Sequence, residues 1–328
     1  MPGPAGGLTS GVFSGFSPTR GPPQPGWVDG MTTARTRLHR APWSLVGLFV
    51  LVAFGLAWLV CLPLWLGDGL ASPLTPVIVG ATMFTPAVAA LVVRRVQRRR
   101  GDPVTSLGLA LHRPVGRVVG YTALGLVGAI ALTLGAMLLS GGVGTLALDP
   151  ARLADGGLLA RTVVSVVGMS LLLSLATLGE EIGWRGWLQP ALSPLGFWPA
   201  VLGTGALWGA WHAPVILLGY NYGRTDATGV LLMIGFSVLA AIGLGALRAR
   251  SGSLWPSVLA HAALNVSAGT WTVALVRDGA TVDPVTSTLL GWPGWLLMAA
   301  AIPVLVLLRA VPAAVGAPDR GRRVVSPR

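Results

Sequence analysis

The stretch Gly179–Arg185, with the sequence GEEIGWR, follows an apolar run that extends from Leu158 to Leu178. Glu180 and Glu181 are the only glutamates among the 328 residues. A charged side chain at the centre of a membrane helix costs about 2.5–3.5 kcal/mol on insertion scales. Two adjacent carboxylates in this position therefore indicate a functional site inside a membrane-spanning segment.

The composition of the whole chain is that of a polytopic membrane protein. Hydrophobic residues make up 53% and charged residues 10%, with a mean hydropathy of +0.72, whereas soluble domains carry about 25% charged residues. All 23 basic residues are arginines, most of them in the tails and between apolar runs, so the net charge of +12 indicates membrane topology rather than nucleic-acid binding. The single cysteine, Cys61, excludes an intrachain disulfide.

Eight apolar runs of about 20 residues are each long enough to cross the hydrocarbon core of a bilayer. We therefore predict an all-α fold of about eight transmembrane helices, with Pro76 and Pro86 kinking the second. The predicted spans are Trp43–Leu66, Leu74–Val93, Val118–Leu139, Leu158 onward into the glutamate stretch, Pro199–Leu218, Val230–Leu247, Trp255–Val276 and Leu289–Leu308.

Charged residues between the spans predict the orientation of the chain. Arginines concentrate on one set of connections, and six aspartates lie on the other set. The positive-inside rule then places both termini in the cytoplasm, and we expect the plasma membrane as the location. Residues 1–40 and 311–328 are predicted to be disordered tails around a helical domain of residues 41–310, and Met31 is an alternative start.

Three polar groups lie within or at the ends of the apolar spans. They are the Glu180, Glu181 and Arg185 group, the segment Trp208–His212, and the pair His261 and Asn265. Residues four apart share a helix face, so Glu181 can pair with Arg185, and the pair His261 and Asn265 can face one cavity. Counting 1.5 Å per residue from the predicted helix ends places these groups in one layer of the cytoplasmic half of the membrane.

A carboxylate, two imidazoles and an amide in a hydrated pocket suit peptide-bond hydrolysis. The carboxylate can take a proton from water, one imidazole can orient that water, and the other groups can donate hydrogen bonds to the oxyanion. Alternatively, Glu180, His212 and His261 can hold one divalent metal ion such as zinc, although the sequence contains no HExxH motif, so the cofactor stays open.

Two other classes of protein fit the same residues. A non-catalytic membrane scaffold would keep the pocket and bind a partner through it. A small-molecule or proton transporter would also place carboxylates and histidines in membrane helices, but the chain shows no internal repeat. Each group also has a structural interpretation. For example, Glu181 and Arg185 can form an ion pair that only stabilises helix packing.

The three motifs resemble those of the CPBP family of CAAX-processing and bacteriocin-processing intramembrane endopeptidases, also called the Abi family. The motifs are EExxxR at 180–185, an aromatic residue four before His212, and HxxxN at 261–265, within residues 160–270. Trp208 stands where phenylalanine is usual in the family. This family is related to the type II CAAX prenyl endopeptidases.

The resemblance implies an eight-helix fold with a cavity open to the cytoplasm. It implies Glu180 as general base, His212 as a residue that binds or activates the water, and His261 with Asn265 as oxyanion donors. Glu181, Arg185 and Trp208 would support the site. The expected partners are membrane lipids and a peptide or protein tail, which would be cut near the cytoplasmic face.

Overall fold

The computed structural model describes residues 1, 3, 41–101, 106–110 and 114–312. Nearly all of the predicted N-terminal tail, the alternative start at Met31 and residues 313–328 lie outside the described residues. Among the residues that are described, the regular structure is helical, and the only β-pairing is an isolated bridge between Leu148 and Val276.

Thirteen α-helices are present in the described part of the chain, several of them short. They are α1 (Trp43–Leu66), α2 (Thr75–Thr82), α3 (Thr85–Arg100), α4 (Val115–Gly142), α5 (Pro150–Ala154), α6 (Gly156–Glu181), α7 (Gln189–Leu192), α8 (Phe197–Trp211), α9 (Ala213–Ile216), α10 (Ala227–Ser251), α11 (Trp255–Leu275), α12 (Pro284–Ser287) and α13 (Trp292–Leu307). A π-helical segment, Ile182–Leu188, joins α6 to α7.

Seven helical segments of the described chain are long and apolar enough to cross a membrane, and the predicted fold class, a polytopic all-α membrane protein, is confirmed. The predicted span Pro199–Leu218 is not a single long helix. Helix α8 ends at Trp211, and the short α9 follows it. Pro214 explains the break, because it has no backbone N–H for the carbonyl of Ala210.

The two prolines predicted to kink the second span have different roles. Pro86 lies in the first turn of α3, directly after the interruption between α2 and α3 at Met83 and Phe84. Pro76 lies in the first turn of α2 instead, where its missing N–H leaves no helical hydrogen bond unmade. The expected kink at Pro76 is therefore wrong.

Hydrogen bonds between distant connections show which helix ends lie together. Leu254 N donates to Gly108 O over 2.8 Å, and Trp198 Nε1 donates to Pro312 O over 3.0 Å. We call this face the arginine side; its described connections are residues 101, 106–110, 114, 193–196, 252–254 and 308–312.

The opposite face carries the aspartates of the connections. Arg152 pairs with Asp278 over 2.7 Å, and Tyr222 donates to Leu290 O over 3.2 Å. We call this face the aspartate side; its connections are residues 67–74, 143–155, 217–226 and 276–291. The chain alternates between the two faces along its length, and Ala41 and Pro312, the ends of the described bundle, both lie at the arginine side.

The packing of α6 and its continuation positions the glutamates. Helix α6, the π-helical segment and the short helices after it form one span, Gly156–Leu195. Gly179 and Gly183 let this span approach α3, because a Cβ at Gly183 would overlap Pro86. Trp187 stacks on Phe49 of α1 with ring centroids 5.1 Å apart. The glutamate stretch is therefore wedged among α1, α3 and α11 rather than lying against lipid.

Candidate active site

The four residues predicted to be catalytic line one cavity of about 630 Å³. Glu180 comes from the end of α6 and His212 from the residue after α8. His261 and Asn265 come from α11, and both face the cavity, as their spacing predicts. Three separate parts of the sequence therefore meet in one space inside the bundle.

Trp208 holds Glu180 in place. The indole Nε1 donates a hydrogen bond to Glu180 Oε2 over 2.7 Å, and Glu180 is almost completely buried. Charge-assisted hydrogen bonds of this length are among the stronger ones in proteins. Oε1 is then the carboxylate oxygen that can accept a proton from a water in the cavity. The phenylalanine usual in the family would keep the ring at this position but lack the donor.

Glu181 connects two charged or chargeable partners through one oxygen. Its Oε1 accepts from Arg185 Nη1 over 2.7 Å and from His261 Nδ1 over 2.9 Å. The pairing with Arg185 is the one that the spacing predicts. The Arg185 guanidinium also lies 4.4 Å from the Trp208 ring centroid, a cation–π distance. Glu181 therefore orients a site residue as well as balancing a buried cation.

Hydrogen bonds at Nδ1 determine which ring nitrogen of each histidine stays available to a ligand. His212 Nδ1 lies 2.8 Å from Trp208 O, and since a carbonyl only accepts, Nδ1 carries the proton. In the neutral ring this leaves Nε2 with a free lone pair. The same argument applies to His261, whose Nδ1 donates to the Glu181 carboxylate. In both rings Nε2 is the remaining polar atom available to a substrate or water.

The local backbone explains why His212 stands at the cavity. Helix α8 ends one residue earlier, so the His212 N–H bonds to Gly209 O over 3.2 Å in a tightened last turn. Trp211 lies beside the imidazole with ring centroids 4.7 Å apart, and its own Nε1 donates to Thr85 Oγ1. Close packing of α8 on α10 is possible because Gly209 faces Ile234, where any Cβ would overlap the backbone.

The metal alternative finds no matching ligand set. Across the described residues, no group of three or more histidine, cysteine, aspartate or glutamate side chains is placed to hold a metal ion. The proposed set of Glu180, His212 and His261 does not form such a group. We therefore derive no step through a metal ion.

Other polar residues of the cavity carried no signal in the sequence. Tyr220 and Asn221, in the connection between α9 and α10, line the cavity together with Thr82 and Cys61. Burial raises the pKa of the Tyr220 phenol, with a smaller contribution from the negative charge of Glu180. Tyr220 therefore stays a hydroxyl donor at neutral pH. These residues belong to no motif, so only the fold reveals them.

The cavity extends from the glutamate level towards the aspartate side. Its walls include Thr75 at the start of α2, Tyr220, and Leu290 just before α13, all at or near aspartate-side connections. The ends of the bundle lie on the opposite face. The described cavity lining therefore extends away from the face at which Ala41 and Pro312 lie.

Counting residues from helix ends gives the depth of the polar layer but not the direction in which the cavity extends. The count takes the end of the fourth predicted span, at Pro190, as its reference. Beyond Glu181, however, the chain continues through the π-helical segment, whose Trp184 and Trp187 are fully buried against α1 and α3. The glutamates thus have packed protein, not solvent, on their arginine side.

Fold and site together define a polytopic α-helical membrane protein with a carboxylate and imidazole site in a cavity within the bundle. Residues 162–267 match the family described as Type II CAAX prenyl endopeptidase Rce1-like. This range contains all three motifs, and the family resemblance predicted from them is confirmed over it. Searches of curated proteins and of solved structures found no match to the chain.

Proposed function

We propose that the protein is an intramembrane endopeptidase in which Glu180 activates a water molecule. The observation that carries this proposal is the convergence of Glu180, His212, His261 and Asn265 on one cavity. The family match supports a CAAX-protease type of peptide-bond hydrolysis. It is the bond cleavage that we take from the family, and prenylated tails are not part of the proposal.

The reaction needs one base and one set of oxyanion donors. Glu180 Oε1 takes one proton from the water. His212 Nε2 accepts a hydrogen bond from the other O–H and so orients the water oxygen. The water oxygen bonds to the scissile carbonyl carbon, and the negative charge moves to the carbonyl oxygen. The C–N bond then breaks, and the proton on Glu180 passes to the leaving amine.

The developing oxyanion is stabilised from α11. Asn265 Nδ2 donates to it, and His261 in its doubly protonated form donates through Nε2. Glu181 orients the His261 ring, because its Oε1 accepts from Nδ1 over 2.9 Å. Arg185 donates a hydrogen bond to the same oxygen of Glu181 and so helps to fix the position of that carboxylate. Every predicted site residue thus has a role that its contacts allow.

Purified protein in lipid nanodiscs tests the proposal with a peptide library. We expect Glu180→Gln and His212→Ala to lower the cleavage rate by about 10²–10⁴-fold, the usual contribution of a general base. Asp68→Asn, an exposed change on the aspartate side, is the matched control and should cleave as the wild type does. A chelator should leave the wild-type rate unchanged, since no step uses a metal ion.

Three results would contradict the proposal. Cleavage by Glu180→Gln at the wild-type rate would remove the mechanism. A cellular phenotype that survives Glu180→Gln, together with no cleavage by any form, would favour the scaffold. Solute or proton flux in liposomes would favour the transporter.

The arginine distribution supports a finer proposal about location. We place both termini in the cytoplasm and the protein in the plasma membrane, where its apolar helices contact lipid. The substrate partner is then a peptide or protein tail close to a membrane surface.

A further inference from the structure

We propose that the substrate reaches the cavity from the extracytoplasmic side, so that the substrates are membrane-proximal peptide segments outside the cytoplasm. This inference rests on the proposed function, since it says from where an endopeptidase site is reached. It goes against the expectation of a cytoplasmic cleavage site. Three independent features of the described chain support it.

The first feature is the set of connections that line the cavity. Helix α2 contributes Thr75 and Pro76, which are its first two residues, at the aspartate side. The connection between α9 and α10 contributes Tyr220 and Asn221, and the last connection contributes Leu290. None of the arginine-side connections that the structure describes contributes a lining residue.

The second feature is the closure of the opposite end. Directly beyond the glutamates, Trp184, Arg185 and Trp187 are each 0% exposed, and none of them lines the cavity. Trp184 packs edge-on against Phe49 and against Trp211, with ring centroids 5.5 and 5.9 Å apart. Among the described residues, side chains therefore fill the space between the site and the arginine side and leave no path for a peptide from there.

The third feature is the distribution of charge between the two faces. In the described chain, nine arginines lie at the arginine side and four at or near the aspartate side, where all six described aspartates lie. The positive-inside rule counts basic residues in short connections, and it places the arginine side in the cytoplasm. The nine are Arg94, Arg95, Arg98, Arg99, Arg100, Arg117, Arg248, Arg250 and Arg309, and the four are Arg152, Arg161, Arg224 and Arg277.

The cavity wall indicates which part of a peptide fits. Among the described residues that line it, none is an arginine, and most are apolar, including Leu173, Met233 and Leu264. A free carboxyl terminus would find no guanidinium group among these lining residues to pair with. An internal, neutral and mainly apolar stretch can bury its side chains and place one peptide bond at Glu180. Within the peptide or protein tail proposed above, the inferred cleavage site is therefore an internal stretch next to the extracytoplasmic surface of the membrane.

Cysteine labelling of intact cells tests the orientation without any catalytic readout. Ala71→Cys adds an exposed thiol on the aspartate side, and Arg99→Cys adds one on the arginine side. A membrane-impermeant maleimide should label Ala71→Cys and not Arg99→Cys until the cells are opened. The wild type, whose single Cys61 is buried, gives the background. Labelling of Arg99→Cys alone would overturn the inference.

Sealed vesicles of both orientations test the access itself. A library peptide that the nanodisc enzyme cuts should be cut when added outside right-side-out vesicles and spared outside inverted ones, and Glu180→Gln should abolish the cleavage by right-side-out vesicles. The reverse pattern would overturn the inference while leaving the endopeptidase intact. Failure of the nanodisc enzyme to cut any peptide would instead overturn the proposed function, whereas the labelling result would still report the orientation.

Discussion

Glu181 has two partners, and each needs its carboxylate for a different reason. Arg185, which is fully buried, needs a counter-charge, because removing one member of a buried ion pair costs about 3–5 kcal/mol. His261 needs an acceptor at Nδ1, which it finds on the same Oε1 atom. The spacing of Glu181 and Arg185 predicts the first contact. The second joins residues 80 positions apart, and nothing in a single sequence reveals it.

Separating these two demands gives a test at the scale of the residue. Glu181→Gln should lower the midpoint of thermal unfolding, because it leaves the Arg185 charge unpaired inside the bundle. The double variant Glu181→Met with Arg185→Met should recover most of that midpoint, since no buried charge remains. Its peptide cleavage should stay low, because His261 has lost its acceptor.

Unfolding followed by tryptophan fluorescence in detergent, together with the cleavage assay, distinguishes the outcomes. A double variant that regains both stability and activity would show that Glu181 serves only the ion pair.

At the scale of the element, two helices depart from the regular spans that hydropathy predicts. Helix α6 passes into the π-helical segment, and α8 stops before His212. The second departure has a signal in the sequence, since Pro214 ends a helix for a known reason. The change from α-helix to π-helix after α6 has no such signal, because the same residues can form a π turn or an α turn. Both departures occur beside residues of the site, where such irregularities are common.

Glycine substitutions on one span test whether the approach of α3 matters. Gly183→Ala should lower both thermal stability and cleavage, because its Cβ would overlap Pro86 and push the π-helical segment away from α3. Gly168→Ala, in α6 of the same span, meets open space, so stability should be unchanged or slightly higher, as alanine favours helix by about 1 kcal/mol over glycine. Equal behaviour of the two variants in the unfolding and cleavage assays would contradict this packing.

At the scale of the whole molecule, packing contacts continue past residue 310. Val311 is buried in a cluster with Phe197 and Trp198, and Pro312 O accepts the Trp198 indole N–H over 3.0 Å. The predicted boundary at residue 310 would cut through this contact.

The length of the domain can therefore be tested by truncation. A chain of residues 41–312 should insert, unfold at the same temperature and cleave peptides like the full chain. A chain of residues 41–310 should unfold at a lower temperature, because it loses the buried Val311 side chain and the acceptor of Trp198. Thermal unfolding of both in the same detergent is the measurement. Loss of activity in 41–312 would show that the flanking residues belong to the working protein.

Much of the architecture follows from the sequence, because the bilayer demands apolar helices of a set length. The glutamate stretch, the two histidines and Asn265 could be assigned to one cavity by their rarity in membrane spans and by helical spacing. The indole donor to Glu180, the shared oxygen of Glu181 and the direction of the cavity could not. Those features depend on how helices tilt and on where packed side chains close the bundle.

The tryptophan floor beneath the glutamates also affects the permeability of the host membrane. Because Trp184 and Trp187 are fully buried on the arginine side of the glutamates, the described side chains leave ions no route from the cavity to that face. Under the proposed function, water for hydrolysis would then reach Glu180 without an ion leak across the bilayer. The fragments of a cut peptide would leave on the side of the cavity away from the tryptophans.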